Sequence, residues 1–178
     1  MRKIVLTFGL IAGAILSAMM FIALAFQDQI GFDKSAVIGY TTMVLAFLMV
    51  FFGVRSYRDN VAGGSVTFGR ALIVGLMITA VASACYVATW QLIYYKLAPD
   101  FNDKYAAYTV EKAKKSGATE SQIAAKTKEM KEFTEMYKNP LVNIALTFLE
   151  PLPVGILFTL VAAGVLSRKR RAKGAAVA

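Results

Sequence analysis

Ala71–Tyr95 reads ALIVGLMITAVASACYVATWQLIYY, twenty-five residues without a charge. A bilayer core of roughly 30 Å takes about 20 residues of helix, so this run is long enough to cross it. Three more runs repeat the pattern: Ile4–Phe26 and Ser35–Val54 are uncharged, and Leu141–Leu166 carries one charge, Glu150. Together the four runs hold 94 of the 178 residues. What is left is too little for a separate soluble domain of ordinary size. The expected fold class is therefore all-α: an integral membrane bundle of four antiparallel helices, as one membrane domain. Residues 99–138 are expected to form an extracytoplasmic amphipathic helical hairpin between the third and fourth spans, and 167–178 a basic cytoplasmic tail.

The net charge is +9, and its placement argues against nucleic acid as a partner. If the runs alternate in direction, Arg2, Lys3, Arg55, Arg58, Arg70, Arg168, Lys169, Arg170, Arg171 and Lys173 share one side of the membrane, with Asp59 as the sole acid there. The opposite short segment, Gln27–Lys34, sets Asp28 and Asp33 against Lys34. This is the positive-inside bias, which predicts that both termini are cytoplasmic. The lipid bilayer is the first partner, with anionic lipid at the basic C-terminal tail. The long segment Lys96–Pro140 holds nine lysines and seven acids and is nearly balanced.

Arg2 and Lys3, the apolar stretch and Ala23-Leu24-Ala25 also resemble a signal peptide with its cleavage site. The uncharged stretch of 23 residues is longer than the usual signal core, so retention as a span is expected. Each span carries small residues at helical spacing: Gly9, Gly13 and Ser17; Gly39, Ala46 and Gly53; Ala80, Ala84 and Ala88 beside Gly75, Thr79 and Ser83; Gly155, Thr159 and Ala163. Such stripes let helix backbones approach closely, within one chain or between copies. Trp90, Tyr94 and Tyr95 read as an outer interfacial belt, with Tyr57 and Phe68 marking the inner one.

Outside, Pro99 and Asp100 suit a helix start, and Ser116-Gly117 suits a stop. Thr119-x-x-Gln122 is a capping box opening a second helix, along which Ile123, Met130, Phe133 and Tyr137 share a face. Asn139-Pro140 then ends that helix and starts the fourth span.

Leu149-Glu150-Pro151-Leu152-Pro153 is the chemically loaded stretch within the membrane. An ionised acid at mid-bilayer costs a few kcal/mol on insertion scales, so Glu150 must face protein or water, or be protonated. Pro151 and Pro153 lack N–H groups and leave the carbonyls of Thr147 and Leu149 without their usual partners. A kink is expected, of the kind that lines ion or substrate sites in transporters. Counting from Leu141 places Glu150 about 14 Å into the span. Tyr40, Thr41 and Thr42, Ser17 and Met20, and Tyr86 and Thr89 lie at similar depth, whereas no lysine or arginine does. A protonated Glu hydrogen-bonded to Tyr or Thr, holding helices together, stands beside proton or cation coupling at the kink, and beside a site facing another subunit.

The loop Arg55–Arg70 is the most patterned one. Gly63-Gly64 can turn where other residues cannot, Arg58 and Asp59 can fix one arm, and Thr67 can cap the third span. No Gly-Lys-Ser/Thr follows, so it is not a phosphate-binding P-loop. A rigid turn with arginines at lipid headgroups, or a site for an anionic ligand or cytoplasmic partner, both fit. Three phrases, FFGVRSYRDN…GGSVTFGRA, then W…YY with Ala98-Pro99-Asp100-Phe101, then MYKNPL…EPLPVG, resemble the bacterial membrane proteins grouped as domain of unknown function 4199. The resemblance runs from about Lys3 to Leu166 and implies a bacterial inner-membrane protein of four spans without naming a reaction. It singles out Tyr57, Arg58, Asp59, Asn60, Gly63, Gly64, Asn139, Pro140, Glu150 and Pro151.

The chain has no histidine and one cysteine, Cys85, in the third run. The commonest general base, the commonest metal ligand and any Ser/His or Cys/His nucleophile are thereby missing. No catalytic set, cofactor or metal is expected. The first function class is a non-enzymatic accessory or scaffold protein that binds a membrane or periplasmic protein, or a second copy of itself. The other is a small proton- or cation-coupled transporter centred on Glu150, Pro151 and Pro153 with Tyr40 and Tyr86. The loop residues Arg55, Tyr57, Arg58, Asp59, Asn60, Gly63 and Gly64 are the second group of candidates.

Overall fold

A computed structural model of the protein describes residues 1–167. The basic tail from Arg168 onward, with the lipid contact expected there, lies outside the described residues. The fold is all-α, and no strand occurs among the described residues. Helix α1 spans Arg2–Ala25, α2 Gln27–Asn60, α3 Phe68–Leu92, α4 Phe101–Lys115, α5 Glu120–Tyr137, α6 Pro140–Leu149 and α7 Leu152–Leu166. Four helical stretches of 24 to 34 residues are long and apolar enough to cross a membrane: α1, α2, α3 with its extension to Leu97, and α6 with α7. Large apolar side chains stand on the outer surface, among them Val37, Leu45, Leu141, Leu149 and Leu157. Water would penalise that surface, whereas hydrocarbon does not.

Local chemistry explains most element ends. The Thr67 hydroxyl accepts from the Arg70 N–H and opens α3. The Thr119 hydroxyl accepts from the Gln122 N–H while the Gln122 side chain accepts from the Thr119 N–H, a complete capping box for α5. Asn139 caps α6 by accepting from the Leu141 N–H, with Pro140 at the first helical position. Each cap satisfies donors that the helix itself leaves unpaired.

Three boundaries differ from the sequence expectation. Gln27–Lys34, a loop by composition, is helical, and only Gly31 (φ 75°, ψ 164°) breaks it. A residue with a Cβ is disfavoured at that φ, so glycine lets the chain turn within a few residues and resume the helix. At the other end α2 runs six residues past Val54, so Arg55–Asn60 are helical and only 61–67 form the loop. The closing turn of the third span widens to a π-helical turn over Ile93–Leu97, where the Ala98 N–H donates to the Ile93 carbonyl at 2.8 Å.

Packing is uneven along the bundle. Helix α3 packs on α1, α2, α6 and α7. At the end that carries the chain termini, the small residues seat neighbouring side chains. Gly9 and Gly13 face Val81 and Cys85, Gly53 faces Ile78 and Phe8, and Gly75 and Gly155 receive Thr159 and Thr79. Those stripes therefore serve contacts within the chain. Ala80, Ala84 and Ala88 instead point outward. Toward the hairpin end the packing of α1 and α2 loosens. No residue of α1 is buried beyond Leu16, and none of α2 before Thr42. The space between the diverging helices is roofed by the α4–α5 hairpin.

Candidate functional site

The roofed space is a cavity of about 410 Å³. One face of α1 lines it, through Leu16, Met19, Met20, Ala23 and Leu24. Helix α2 contributes Gly39, Tyr40, Thr42 and Met43, α3 contributes Tyr86 and Trp90, and the hairpin contributes Phe101, Asn102, Tyr105, Phe133 and Tyr137. Glu150 is the one ionisable carboxyl in the lining, and no lysine or arginine is among the lining residues. A volume in the range of roughly 300–1,000 Å³, with apolar walls and few polar groups, is what small-molecule sites have.

Glu150 stands at the break between α6 and α7, where the helix is interrupted over Glu150 and Pro151. Pro151 is buried and Pro153 is exposed. The backbone torsions there stay in the helical region, and the Tyr86 hydroxyl donates to Glu150 Oε2 at 2.9 Å. Oε1 takes no hydrogen bond from another described residue. Part of the Glu150 surface is open rather than sealed between helices. Tyr40 lines the same cavity but makes no hydrogen bond to Glu150, and it is 57% exposed. Two other groups at that depth satisfy each other instead, Ser17 and Thr89 being 2.7 Å apart. The Thr41 and Thr42 hydroxyls donate to the carbonyls of Val37 and Ile38 on their own helix.

The roof is pinned from two sides. Trp90, an interfacial residue by composition, turns inward and donates from Nε1 to the Tyr137 hydroxyl at 2.9 Å. The Tyr137 and Thr147 hydroxyls are 3.0 Å apart, and Asn143 Oδ1 accepts from Gln91 Nε2 at 2.7 Å and from Thr147 at 3.4 Å. One consistent direction runs through the set, from Trp90 to Tyr137 to Thr147 to Asn143. Burial pushes the Tyr137 phenol above its ordinary range, so it stays protonated and both donates and accepts. On the far side Asp33 accepts from the Tyr108 hydroxyl and pairs with Lys112, and Phe32 packs against Phe101, Tyr105 and Tyr108 with ring centroids 5.0–5.7 Å apart. Gln27 Nε2, on a residue lining the cavity, is a buried donor without a hydrogen-bond partner among the described residues, while the Asn102 amide faces the Tyr94 phenol. A single neutral amide at the wall leaves Glu150 as the charged group of the lining.

The second group of candidates sits at the opposite end. Seventeen residues of helix, about 25 Å at 1.5 Å each, separate Tyr57 from Tyr40. Tyr57 is buried rather than interfacial. Arg58 Nε donates to Asp59 Oδ1 at 2.7 Å, Arg55 lies 3.7 Å from Asp59, and Asn60 Nδ2 donates to Ser56 at 3.2 Å. Gly63 and Gly64 take φ of 65° and 86°, and the Gly64 N–H returns to the Arg58 carbonyl at 2.9 Å. These residues form a closed turn at the end of α2 and share no cavity with Glu150.

Of the sequence candidates, Glu150, Tyr86 and Tyr40 come together. The hairpin residues Phe101, Asn102, Tyr105, Phe133 and Tyr137 join them without having been singled out as site residues. The sequence signal available was the apolar stripe along both hairpin helices, which needed a surface to cover. In comparison with known proteins, residues 7–168 match a family model described as "Protein of unknown function (DUF4199)". No curated protein and no solved structure matches the chain.

Proposed function

The chain belongs to the DUF4199 family of proteins of unknown function, and from that premise we propose that it is a non-enzymatic membrane binding protein. Its cavity at the hairpin end holds a small molecule beside Glu150. The supporting observation is the cavity itself: a carboxyl with one hydrogen-bond partner opens into about 410 Å³ of largely apolar space. An acid that served only to tie helices together would be closed in on all sides, because an open intramembrane carboxyl is costly to keep. The chain's positive charge at the terminal end favours an orientation with both termini in the cytoplasm and the hairpin outside, and the resemblance to bacterial membrane proteins favours a bacterial inner membrane. In that setting the protein acts as an accessory component that captures its ligand at the outer half of the membrane. The exposed lysines and glutamates of α5 are the surface offered to a periplasmic protein.

A transport pathway through Glu150 needs a second opening on the cytoplasmic side. Ala46, Phe47, Val50, Ile78, Thr159 and Ala162 fill that half and have no exposed surface. Binding is thus the better supported class, with proton- or cation-coupled transport the alternative.

Trp90 is the only tryptophan and lines the cavity, so it reports on occupancy. The test is to titrate the protein in lipid nanodiscs with a neutral apolar fluorescence quencher. Gly39 lies on the cavity wall, and a Cβ there meets nothing within 4 Å, so Gly39→Phe is the substitution that adds bulk at the wall from an unobstructed start. Saturable quenching in the wild type that Gly39→Phe abolishes is expected. Identical, unsaturable quenching in both would mean simple partition into lipid and would refute the binding reading.

A further inference from the structure

We infer that the ligand of this cavity is a lipophilic cation, an apolar body bearing one positive charge, which enters from the bilayer between α2 and α6 and pairs with Glu150. The inference rests on the binding reading above and names its substrate class.

Charge selects the class. The chain carries +9, yet the only ionisable charge in the cavity lining is a carboxyl, without a lysine or arginine beside it. Tyr86 donates to one oxygen and leaves the other for a ligand. An ionised carboxylate in low dielectric attracts a cation far more strongly than the same pair in water. An anion would meet repulsion, and a neutral molecule would leave the carboxyl as it was. The walls add to the preference. Tyr40, Tyr86, Trp90, Phe101, Tyr105 and Tyr137 supply aromatic rings, whose faces attract cations, and desolvation strengthens that attraction. A strongly hydrated metal ion finds too few oxygen ligands here, since among the described residues no cluster of three or more acidic, cysteine or histidine side chains can hold one.

Geometry gives the route. Helix α2 packs on α1, α3 and α7, whereas α6 packs on α3, α5 and α7. Tyr40 on α2 and Glu150 at the end of α6 both line the cavity and both are exposed. Val37 and Leu149, on the same two helices, are 67% and 57% exposed. An opening sideways between these helices, where hydrocarbon would lie, accounts for the exposure of both lining residues. The hairpin covers the aqueous side. A molecule that partitions into the bilayer reaches Glu150 without crossing that roof.

The test uses two ions of matched shape and opposite charge, tetraphenylphosphonium and tetraphenylborate, with the full-length protein in nanodiscs of zwitterionic lipid. Trp90 fluorescence is read after subtracting the partition measured for empty discs. The expected result is saturable binding of the phosphonium, with the borate at least tenfold weaker. Glu150→Gln should weaken the phosphonium at least tenfold and bring its affinity down toward that of the borate. Equal binding of the two ions by the wild type would overturn the inference, and this comparison decides even if the variant fails to fold. So would Glu150→Gln binding the phosphonium as the wild type does. If the neutral quencher binds but charge makes no difference, the cavity stands and the cation assignment fails. If nothing binds saturably, or brominated acyl chains quench Trp90 and the phosphonium does not displace them, the cavity belongs to lipid and both readings fall.

Discussion

Replacing Gly155 with alanine should destabilise the bundle, and Gly164→Ala on the same helix should not. A Cβ built on Gly155 lies 2.3 Å from Thr79 Cγ2, 3.0 Å from Thr79 Oγ1 and 3.0 Å from Phe47 Cε1. Thr79 and Phe47 are 1% and 0% exposed, so neither has space to retreat into. Rotating Thr79 exchanges one close atom for another, because both of its branches face the glycine. Helix α7 must therefore move about 1 Å away from α3 to restore ordinary contact, the displacement that overpacking makes expensive at about 1–3 kcal/mol. The shift also weakens the already long bond from the Thr79 hydroxyl to the Gly155 carbonyl, at 3.4 Å. Helix propensity works the other way, by roughly 0.5–1 kcal/mol in favour of alanine. The net expectation is a loss of about 1–2 kcal/mol. At Gly164 a Cβ meets nothing within 4 Å, so only the propensity gain remains. Equilibrium unfolding in mixed micelles, followed by circular dichroism, should separate the two variants by about 2 kcal/mol, roughly a thirtyfold difference in the folded-to-unfolded ratio. Variants that unfold within about 0.5 kcal/mol of each other would refute the account of α3–α7 contact.

Tyr137→Phe removes a hydroxyl that serves both Trp90 and Thr147, and should cost about 1–3 kcal/mol by leaving buried polar groups unpaired. Trp90 emission should shift with it, and unchanged emission would show that the bond is not formed. Asp33→Ala releases Lys112 and Tyr108, so amide exchange should quicken in α4 while α5, held through Tyr137, keeps its protection. Acid should loosen the hairpin only at low pH. Hydrogen bonds from Lys115 and Lys138 hold the Glu111 and Glu135 carboxyls below their ordinary 4.5, so these contacts are in place above that value and are lost as pH falls through the depressed values. Exchange in α4 and α5 that rose between about pH 7 and 5 would contradict this assignment; the effect is small in any case, because the pairs are exposed.

What could be read from the residues was whatever local chemistry determines. Thr119-x-x-Gln122, Asn139-Pro140 and Thr67 sit at helix starts because their side chains pair donors a few positions away, and that pairing needs no knowledge of the rest of the chain. Counting residues placed Tyr86 among seven residues at the depth of Glu150, because depth in a bilayer is a one-dimensional coordinate, but which of them bonds the carboxyl was not legible. Neither was the cavity. It exists because α1 beyond Leu16 and α2 before Thr42 leave the packed core, and that divergence belongs to three helices together. Gln27–Lys34 looked like a loop because it is polar, yet polar residues where a helix leaves the membrane can continue it as well as end it. Trp90 illustrates the same limit: its type fits an interfacial belt, while its direction depends on Tyr137, forty-seven positions away.

The contrast between a jammed half and a slack half has a consequence for how the sequence is free to drift. Near Gly75, Gly155 and Thr159, an exchange of even one methyl group meets a neighbour, so acceptable replacements there must match in volume. Around Met19, Met20, Val37 and Ile38, a swap among aliphatic residues alters only the outline of an open space. The chamber can thus be retailored at those positions without rebuilding the frame that Gly75, Gly155 and Thr159 hold.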